Sequence, residues 1–283
     1  MGTTQRIIPG VTGEPNWSNL NHAITSLAKN VEKEQSLTID AEKAADQVHS
    51  NPTKNNEKAV ALISRQQRKL NNRRSRHFHS ALKNLIATGG GRKSVAGGKS
   101  SSLGRAGIKS SKRISHFIGQ VHANGLDTAL QELGFGPLKG RKLKEVMDFL
   151  LMHFSDTSSG MDEVAANMAS CEVFGKLAEG VKTVKEFEEK LKSMVEENSL
   201  TEVICNFFGV YLFEHLSQRF QEKITQLKGE PVSAETFKII KADILGQVRL
   251  LNSNKAISEI NWKGKEGRRL EEKIFNSIIQ IFE

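Results

Sequence analysis

The sequence predicts an all-α protein: a helical bundle-like C-terminal domain preceded by a flexible, partly helical, basic N-terminal region. Apolar residues in the second half recur at spacings of three and four, which is the period of an amphipathic helix. Start and stop signals for helices separate these segments, and the sequence contains no convincing strand pair or hairpin turn. We therefore divide the chain into three regions: a flexible tail with short helices (1–55), a basic helix with a Gly/Ser/Lys-rich connector (56–102), and an α-helical domain (103–283).

The first region has too few large apolar side chains to form a core alone. Residues 1–16 contain three Gly and two Pro without an amphipathic period, which predicts an extended tail. A weak helix follows at Trp17, and a second short helix is expected to start at Thr38 or Asp40. Asn51-Pro52 would end it, because the residue before a proline disfavours helical geometry.

The second region begins with an interrupted apolar stripe from Val60 to Ile86, crowded by arginine and lysine. The stretch 88–102 is rich in Gly, Ser and Lys, which predicts a mobile, cationic connector. A phosphate-binding loop at Gly98-Lys99-Ser100 is rejected, because Lys93 stands where that motif needs glycine and no strand precedes it.

The helical domain should contain eight helices. We expect seven of them at about 103–124, 126–133, 142–154, 161–178, 199–227, 231–251 and 270–282, and one more that starts at Thr183. The helix at 142–154 should be central, the helix at 199–227 should be the longest and span the core, and Met168 should point inward. Thr183 with Glu186, and Ser199 with Glu202, have the spacing of capping boxes.

Charge is concentrated in one part of the chain. Of the 41 Lys and Arg residues, 15 lie between Lys58 and Gly125, where no Asp or Glu occurs. The rest of the chain carries 26 basic and 32 acidic residues. Such a segment attracts nucleic acid, anionic lipid or an acidic protein face, although a solvated flexible linker has the same composition. The candidate binding residues are Arg73, Arg74, Arg76, Arg92, Lys93, Arg105, Lys109, Lys112, Arg113 and Arg141.

The residues alone indicate no catalytic chemistry. Nucleophile, zinc-protease and dinucleotide motifs are absent from the sequence, the histidines are dispersed, and a lone histidine such as His215 is usually a hydrogen-bonded core residue. Asp162 in a first helical turn is explained by the helix dipole. Cys171 and Cys205 are expected to be buried free thiols. We therefore predict a non-enzymatic, cytoplasmic protein without cofactor, metal or membrane span.

The segment from Arg74 to Phe154 resembles the QatB family, the B component of the four-gene Qat anti-phage defence system. The resemblance rests on a Thr-Gly-Gly-rich loop at 87–91, a Gly/Arg/Lys helix at 103–118, the Leu138-Lys139-Gly140-Arg141 motif and the apolar helix that follows it. The Ala-rich segment after Met161 is also similar. The match covers about residues 74–195, together with the Met-Gly-Thr start.

This resemblance implies a non-enzymatic subunit that works with an ATPase, a QueC-like ATP-dependent enzyme (QatC) and a TatD-like nuclease. Relatives of QueC activate a carboxylated deazaguanine, and a protein amine could capture the activated acyl group. Removal of Met1 would leave Gly2 with an unhindered α-amino group, whose ordinary pKa is about 8. We therefore expect the chain to bind the QueC-like partner and to offer Gly2 as the acceptor of a deazapurine-type modification. The alternative is non-specific DNA binding through residues 65–113.

Overall fold

In a computed structural model of the chain, the described residues are 15–50, 54–155, 160–196, 199–254 and 270–283. They form helices and no strand, which confirms the all-α prediction. The helices are α1 (Pro15–Ser50), α2 (Lys54–Thr88), α3 (Arg92–Ala96), α4 (Arg105–Asn124), α5 (Leu126–Glu132), α6 (Leu143–Phe154), α7 (Met161–Ala178), α8 (Val184–Glu196), α9 (Leu200–Lys228), α10 (Glu230–Asn254) and α11 (Leu270–Phe282).

These helices form two compact units. Among the described residues, the first unit comprises 15–50, 54–88, 219–240 and 283, and the second comprises 89–155, 160–196, 199–218, 241–254 and 270–282. Helices α9 and α10 each contribute residues to both units.

The first unit is built on α1 and α2, which pack side by side and run antiparallel. Near its start, α1 is held against the end of α9: the rings of Trp17 and Phe220 stack with centroids 5.5 Å apart, and Lys223 Nζ donates to Asn21 Oδ1 at 2.7 Å. Apolar burial is therefore strongest over this part of α1, where Leu20, Ile24 and Leu27 are at most 1% exposed.

The sequence predicted two helices where α1 is one continuous helix. The hydroxyl of Thr38, which we expected to cap a second helix, instead donates to the carbonyl of Glu34 at 2.9 Å. A threonine that bonds the residue four positions earlier continues the helix that it belongs to. The predicted break is therefore wrong.

The second unit is organised around α4. This helix packs against α5, α6, α7, α8 and α11, and its apolar residues Ile114, Phe117 and Ile118 are at most 2% exposed. Phe117 meets Phe154 of α6 and Phe174 of α7, with ring centroids 5.7 and 6.3 Å away. Helix α9 crosses the same core, where Phe208 stacks on Phe275 of α11 at 4.3 Å. The prediction that α9 spans the core is confirmed.

Three other sequence predictions for this unit are wrong. Residues 88–102 contain α3, whose Val95 is fully buried and which packs on α11, so they are part of the core rather than a loose connector. Helix α6 lies at the surface, with Met152 70% exposed. Met168 is 51% exposed instead of inward, because the small residues of α7 make the close contacts.

The helix starts also differ in part from the sequence pattern. Thr183 accepts a hydrogen bond from the amide of Glu186 at 3.2 Å, as predicted for a cap. The hydroxyl of Ser199 instead donates to the carbonyl of Met194, so this residue does not cap α9 with its side chain. At 36 residues, α1 exceeds the 29-residue α9, which we expected to be the longest helix.

Candidate functional site

A basic surface forms in the second unit around α3 and the start of α4. Arg105 donates from its guanidinium to the carbonyl of Lys99 at 3.3 Å and from its amide to the carbonyl of Ser100 at 3.1 Å, which holds the start of α4 against the loop that follows α3. Lys93, Lys99, Arg105 and Lys109 are exposed. Arg105 and Lys109 are one turn apart on α4 and therefore share a face. This surface joins three residues that the sequence predicted, together with Lys99.

Other predicted cations of the second unit are held by contacts within the protein. Lys112 forms an ion pair with Glu272 of α11 at 2.9 Å. Arg113 donates to the carbonyl of His153 at 2.6 Å and lies over the ring of Phe154. These contacts join α4 to its neighbours, so both side chains have a structural explanation.

Arg141 lies on a separate exposed feature before α6. It pairs with Glu145 at 3.0 Å and sits 5.5 Å from the centroid of Phe135. Arg92 is half-buried at the start of α3. The predicted set is therefore not one continuous site within the second unit.

The remaining predicted cations belong to the first unit. Arg73, Arg74 and Arg76 lie on α2, and Arg74 pairs with Glu34 of α1 at 2.7 Å. Arg73 and Arg76 are exposed. Gly2, the predicted modification acceptor, lies outside the described residues.

A buried polar cluster that the sequence analysis missed lies beneath the basic surface. Asp162 of α7 accepts hydrogen bonds from the amide of Ala106 at 2.7 Å and the amide of Gly104 at 3.1 Å. Its Oδ1 also accepts the hydroxyl of Tyr211 and lies 3.1 Å from His215 Nε2, both on α9. Asp162 is 1% exposed and His215 is fully buried.

This cluster caps the N-terminus of α4 from another helix. The first amides of a helix lack partners within it, and an aspartate is a strong acceptor for them. Burial favours the protonated acid, yet the bonds from His215, Tyr211 and the Ala106 amide outweigh it and lower the pKa of Asp162. A charged carboxylate is thereby kept in the core, where it fixes α4, α7 and α9 together.

Two glycines allow the start of α4 to lie close to α3 and to Tyr211. Gly104 has φ +117°, and a Cβ there would lie 2.2 Å from the carbonyl oxygen of Val95. A Cβ on Gly107 would lie 2.7 Å from the Tyr211 ring. Both positions therefore require a residue without a side chain.

The described cysteines and acidic groups show no assembled reactive centre. Cys171 and Cys205 are free, and burial raises the pKa of Cys205 to about 12, which keeps its thiol protonated. Cys205 is buried as predicted, whereas Cys171 is half-buried. Within the described part of the chain, no group of three or more His, Cys, Asp or Glu residues could hold a metal ion.

None of the described helices is long and apolar enough to span a bilayer.

Together these features define an all-α protein with a buried polar helix cap beneath a cationic surface. The family model described as Qat anti-phage system associated protein QatB matches residues 96–282, more than half of the chain. The chain therefore belongs to the QatB family and is a component of the Qat anti-phage system. No curated protein and no solved structure matches the chain.

Proposed function

We propose that this chain is a non-enzymatic, cytoplasmic binding subunit that docks the QueC-like component of the Qat system and presents Gly2 for modification. One observation carries the proposal: the described residues include a buried set of polar groups and, separately, a set of exposed basic side chains. The groups around Asp162 are buried and bonded to one another and to α4, whereas the side chains of Lys93, Lys99, Arg105 and Lys109 are exposed on the surface. Membership of the Qat system supplies the context for partner proteins.

The modification would be an acyl transfer to the N-terminal amine. After removal of Met1, the Gly2 nitrogen would attack the activated acyl carbon of a deazapurine carboxylate held by the QueC-like enzyme. A carbon–nitrogen amide bond forms, the bond from that carbon to its ATP-derived activating group breaks, and the amine loses a proton to solvent. Docking by the helical body would raise the concentration of Gly2 near the activated group.

Intact mass measurement tests this proposal directly. The chain would be purified alone and after co-expression with the QueC-like component, with Gly2→Glu, which retains Met1, as the control. We expect a mass increase of nucleobase size on Gly2, present only after co-expression and lost in the control. If the chain co-purifies with the QueC-like component but is unmodified, docking stands and the acceptor role of Gly2 is rejected. If the chain is unmodified and does not co-purify, both are rejected.

A second function, non-specific DNA binding, is favoured by the acid-free segment from Lys58 to Gly125. Phosphate contacts release counterions, so DNA affinity should fall steeply with salt. The triple variant Lys93→Gln, Arg105→Gln, Lys109→Gln should then lose affinity and reduce the salt slope. A matched variant of three exposed lysines outside the segment, at 144, 182 and 185, should bind as the parent does. A DNA affinity that does not change with salt concentration would reject this function.

A further inference from the structure

A groove between α1 and α2 in the first unit has an apolar floor and a cationic rim. Its cavity volume is about 360 Å³. On α1 it is lined by Lys33, Ser36 and Leu37, and on α2 by Gln66, Lys69, Leu70 and Arg73. The steps of three and four between these positions place them along one face of each helix. The groove therefore follows the seam between two packed helices.

The rim of this groove is positive. Lys33, Lys69 and Arg73 are exposed, and none of the described lining residues is acidic. The acidic residues nearest along α1 have other partners: Glu34 pairs with Arg74 and Glu32 pairs with Lys228. The three rim cations thus face solvent without a neutralising carboxylate among the described groove residues.

The apolar seam of this part of the unit is only partly covered. Leu70 is 7% exposed on the floor, whereas Leu37 and Ile63 are half-buried. Leu62 is 60% exposed and lies one turn before Gln66, so it extends the α2 side of the groove with apolar surface. A third helix that packs along two others covers such a seam by placing its own apolar residues at spacings of three and four.

We propose that the α1–α2 groove binds an acidic amphipathic helix of a partner protein. Leu or Phe side chains on that helix would contact Leu37, Leu70 and Leu62, and Asp or Glu beside them would pair with Lys33, Lys69 and Arg73. The proposal adds a second docking surface to the cationic surface of α3 and α4, and it rests on the proposed function only in assigning the helix to the QueC-like component.

The positive charge of the rim would also suit nucleic acid, but the floor of the groove would not. Its floor is aliphatic, and none of its described lining residues is aromatic, so it lacks the stacking surface on which unpaired bases bind. An aliphatic floor between cations instead matches the two faces of an acidic amphipathic helix.

The first experiment measures binding of a synthetic helical peptide to the full chain by fluorescence anisotropy. The peptide has 18 residues, Leu at heptad a and d positions and Glu at the flanking positions, and it is compared with a scrambled peptide of the same composition. Replacing the rim cations (Lys33→Gln, Lys69→Gln, Arg73→Gln) should weaken binding at least about 10-fold, since three charge contacts are lost.

The matched control removes the same charge from α2 outside the groove: Arg65→Gln, Arg68→Gln, Arg76→Gln, all exposed residues. It should bind within about 2-fold of the parent, because groove contacts rather than net charge determine affinity. Equal loss in both triple variants, equal binding of the scrambled peptide, or preference for an 18-nucleotide single-stranded DNA would overturn the proposal.

The second experiment places a photo-reactive benzoylphenylalanine at Ser36 in the groove, or at Arg68 outside it, in the chain co-expressed with the QueC-like component. A cross-link from position 36 alone, to an acidic segment with apolar residues at helical spacing, is expected. If the partner co-purifies but cross-links equally from both positions, the groove assignment fails and partner docking stands. If the partner does not co-purify while the peptide binds the groove, the proposed function fails and the groove assignment stands.

Discussion

Helix α4 in the second unit and the α1–α2 pair in the first unit are stabilised by different kinds of contact. The inner face of α4 is buried, and its N-terminus is capped by Asp162 from a helix 56 to 58 residues further along the chain. Between residues 34 and 43, the side chains of α1 are exposed or half-buried, and the helix pairs chiefly with α2. The family match begins at residue 96, so it includes the first case and not the second. The comparison shows that α4 is stabilised by burial among several helices, whereas the outer part of the α1–α2 pair is stabilised chiefly by contact with a single neighbour.

The largest effect is expected from Asp162→Asn. This variant removes a buried charge that four donors share, and it should lower the free energy of unfolding by about 3 kcal/mol. Chemical denaturation of the full chain measures it. Asp127→Asn is the matched control, since Asp127 is exposed and accepts one backbone bond from Leu138 at 2.9 Å; it should cost less than about 1 kcal/mol. Similar losses in both variants would contradict the structural role of the buried cluster.

The same carboxylate should make the second unit sensitive to acid. Because the folded state lowers the pKa of Asp162, its contribution is fully present above the ordinary value of about 4 and is lost as pH falls through the folded value. Unfolding monitored between about pH 5 and pH 2 should therefore show a steeper loss of stability in the parent chain than in Asp162→Asn. Parallel pH profiles would show that Asp162 is not charged in the folded protein.

The next largest effect on stability is expected from substitutions at two glycines of α4. Gly107→Ala should destabilise the second unit by about 1–3 kcal/mol, because the new Cβ meets the Tyr211 ring at 2.7 Å. Gly119→Ala has open space around it and should stabilise α4 by up to about 1 kcal/mol through helix propensity. Thermal unfolding of both variants gives opposite signs if tertiary contact dominates α4. Stabilisation by both substitutions would mean that helix propensity outweighs the contact with Tyr211 in α4.

Hydrogen exchange tests the comparison without any substitution. Amides of α2 near Gln66–Lys69 should exchange at least about 100-fold faster than those of α9 near Phe208–Leu212, because few buried contacts oppose local opening. Amides of α1 near Ile24, which is fully buried, provide the control within the first unit and should be intermediate. Uniform protection along α1 and α2 would show that the outer part of the pair is as stable as its buried part.

The smallest effect is expected from the ion pairs. Arg74→Gln breaks the pair with Glu34, whose side chains are 25% and 17% exposed, and should cost less than about 1 kcal/mol. Loss of one like charge beside Arg73 and Arg76 partly offsets that cost. Lys112→Gln breaks the more exposed pair with Glu272 and should cost less still. Urea unfolding of both variants at low and high salt measures the difference, and a larger loss from Lys112→Gln would reverse the expected order.

Much of the helix pattern is local information and could be predicted. The interval Met161–Ala178 was predicted with the bounds that α7 has, since its apolar period and flanking turns are local signals. The predicted helix start at Thr38 is wrong because a threonine hydroxyl can cap a new helix or bond the preceding turn of the same helix. Sequence spacing does not distinguish these two roles. Periodicity predicts that Met168 points inward, because it does not show which small residues a neighbouring helix will contact.

The polar cluster could not be predicted, because it joins residues that are distant in the chain. Asp162 fits the ordinary preference of a first helical turn, which hid its bonds to α4. A signal was present in Tyr211, the only tyrosine of the chain, set in its most apolar segment with His215 one turn later. A buried tyrosine usually finds a hydrogen-bond partner, but the sequence does not say which one. For the predicted cations, the sequence does not show which side chains contact neighbouring helices, as those of Lys112 and Arg113 do.

The long-range cap on α4 has a consequence for synthesis on the ribosome. Gly104 bonds Asp162 and Tyr211, which follow it by 58 and 107 residues. At about 5–20 residues per second, translation takes about 5–20 s to reach Tyr211 after Gly104 has been added. During that time the Gly104 amide lacks at least one of its two partners. The second unit therefore completes its core late, after both α9 and α11 have been added. Nascent chains that stop before α9 carry a strongly basic helix start without the Tyr211 and His215 that complete the buried cluster.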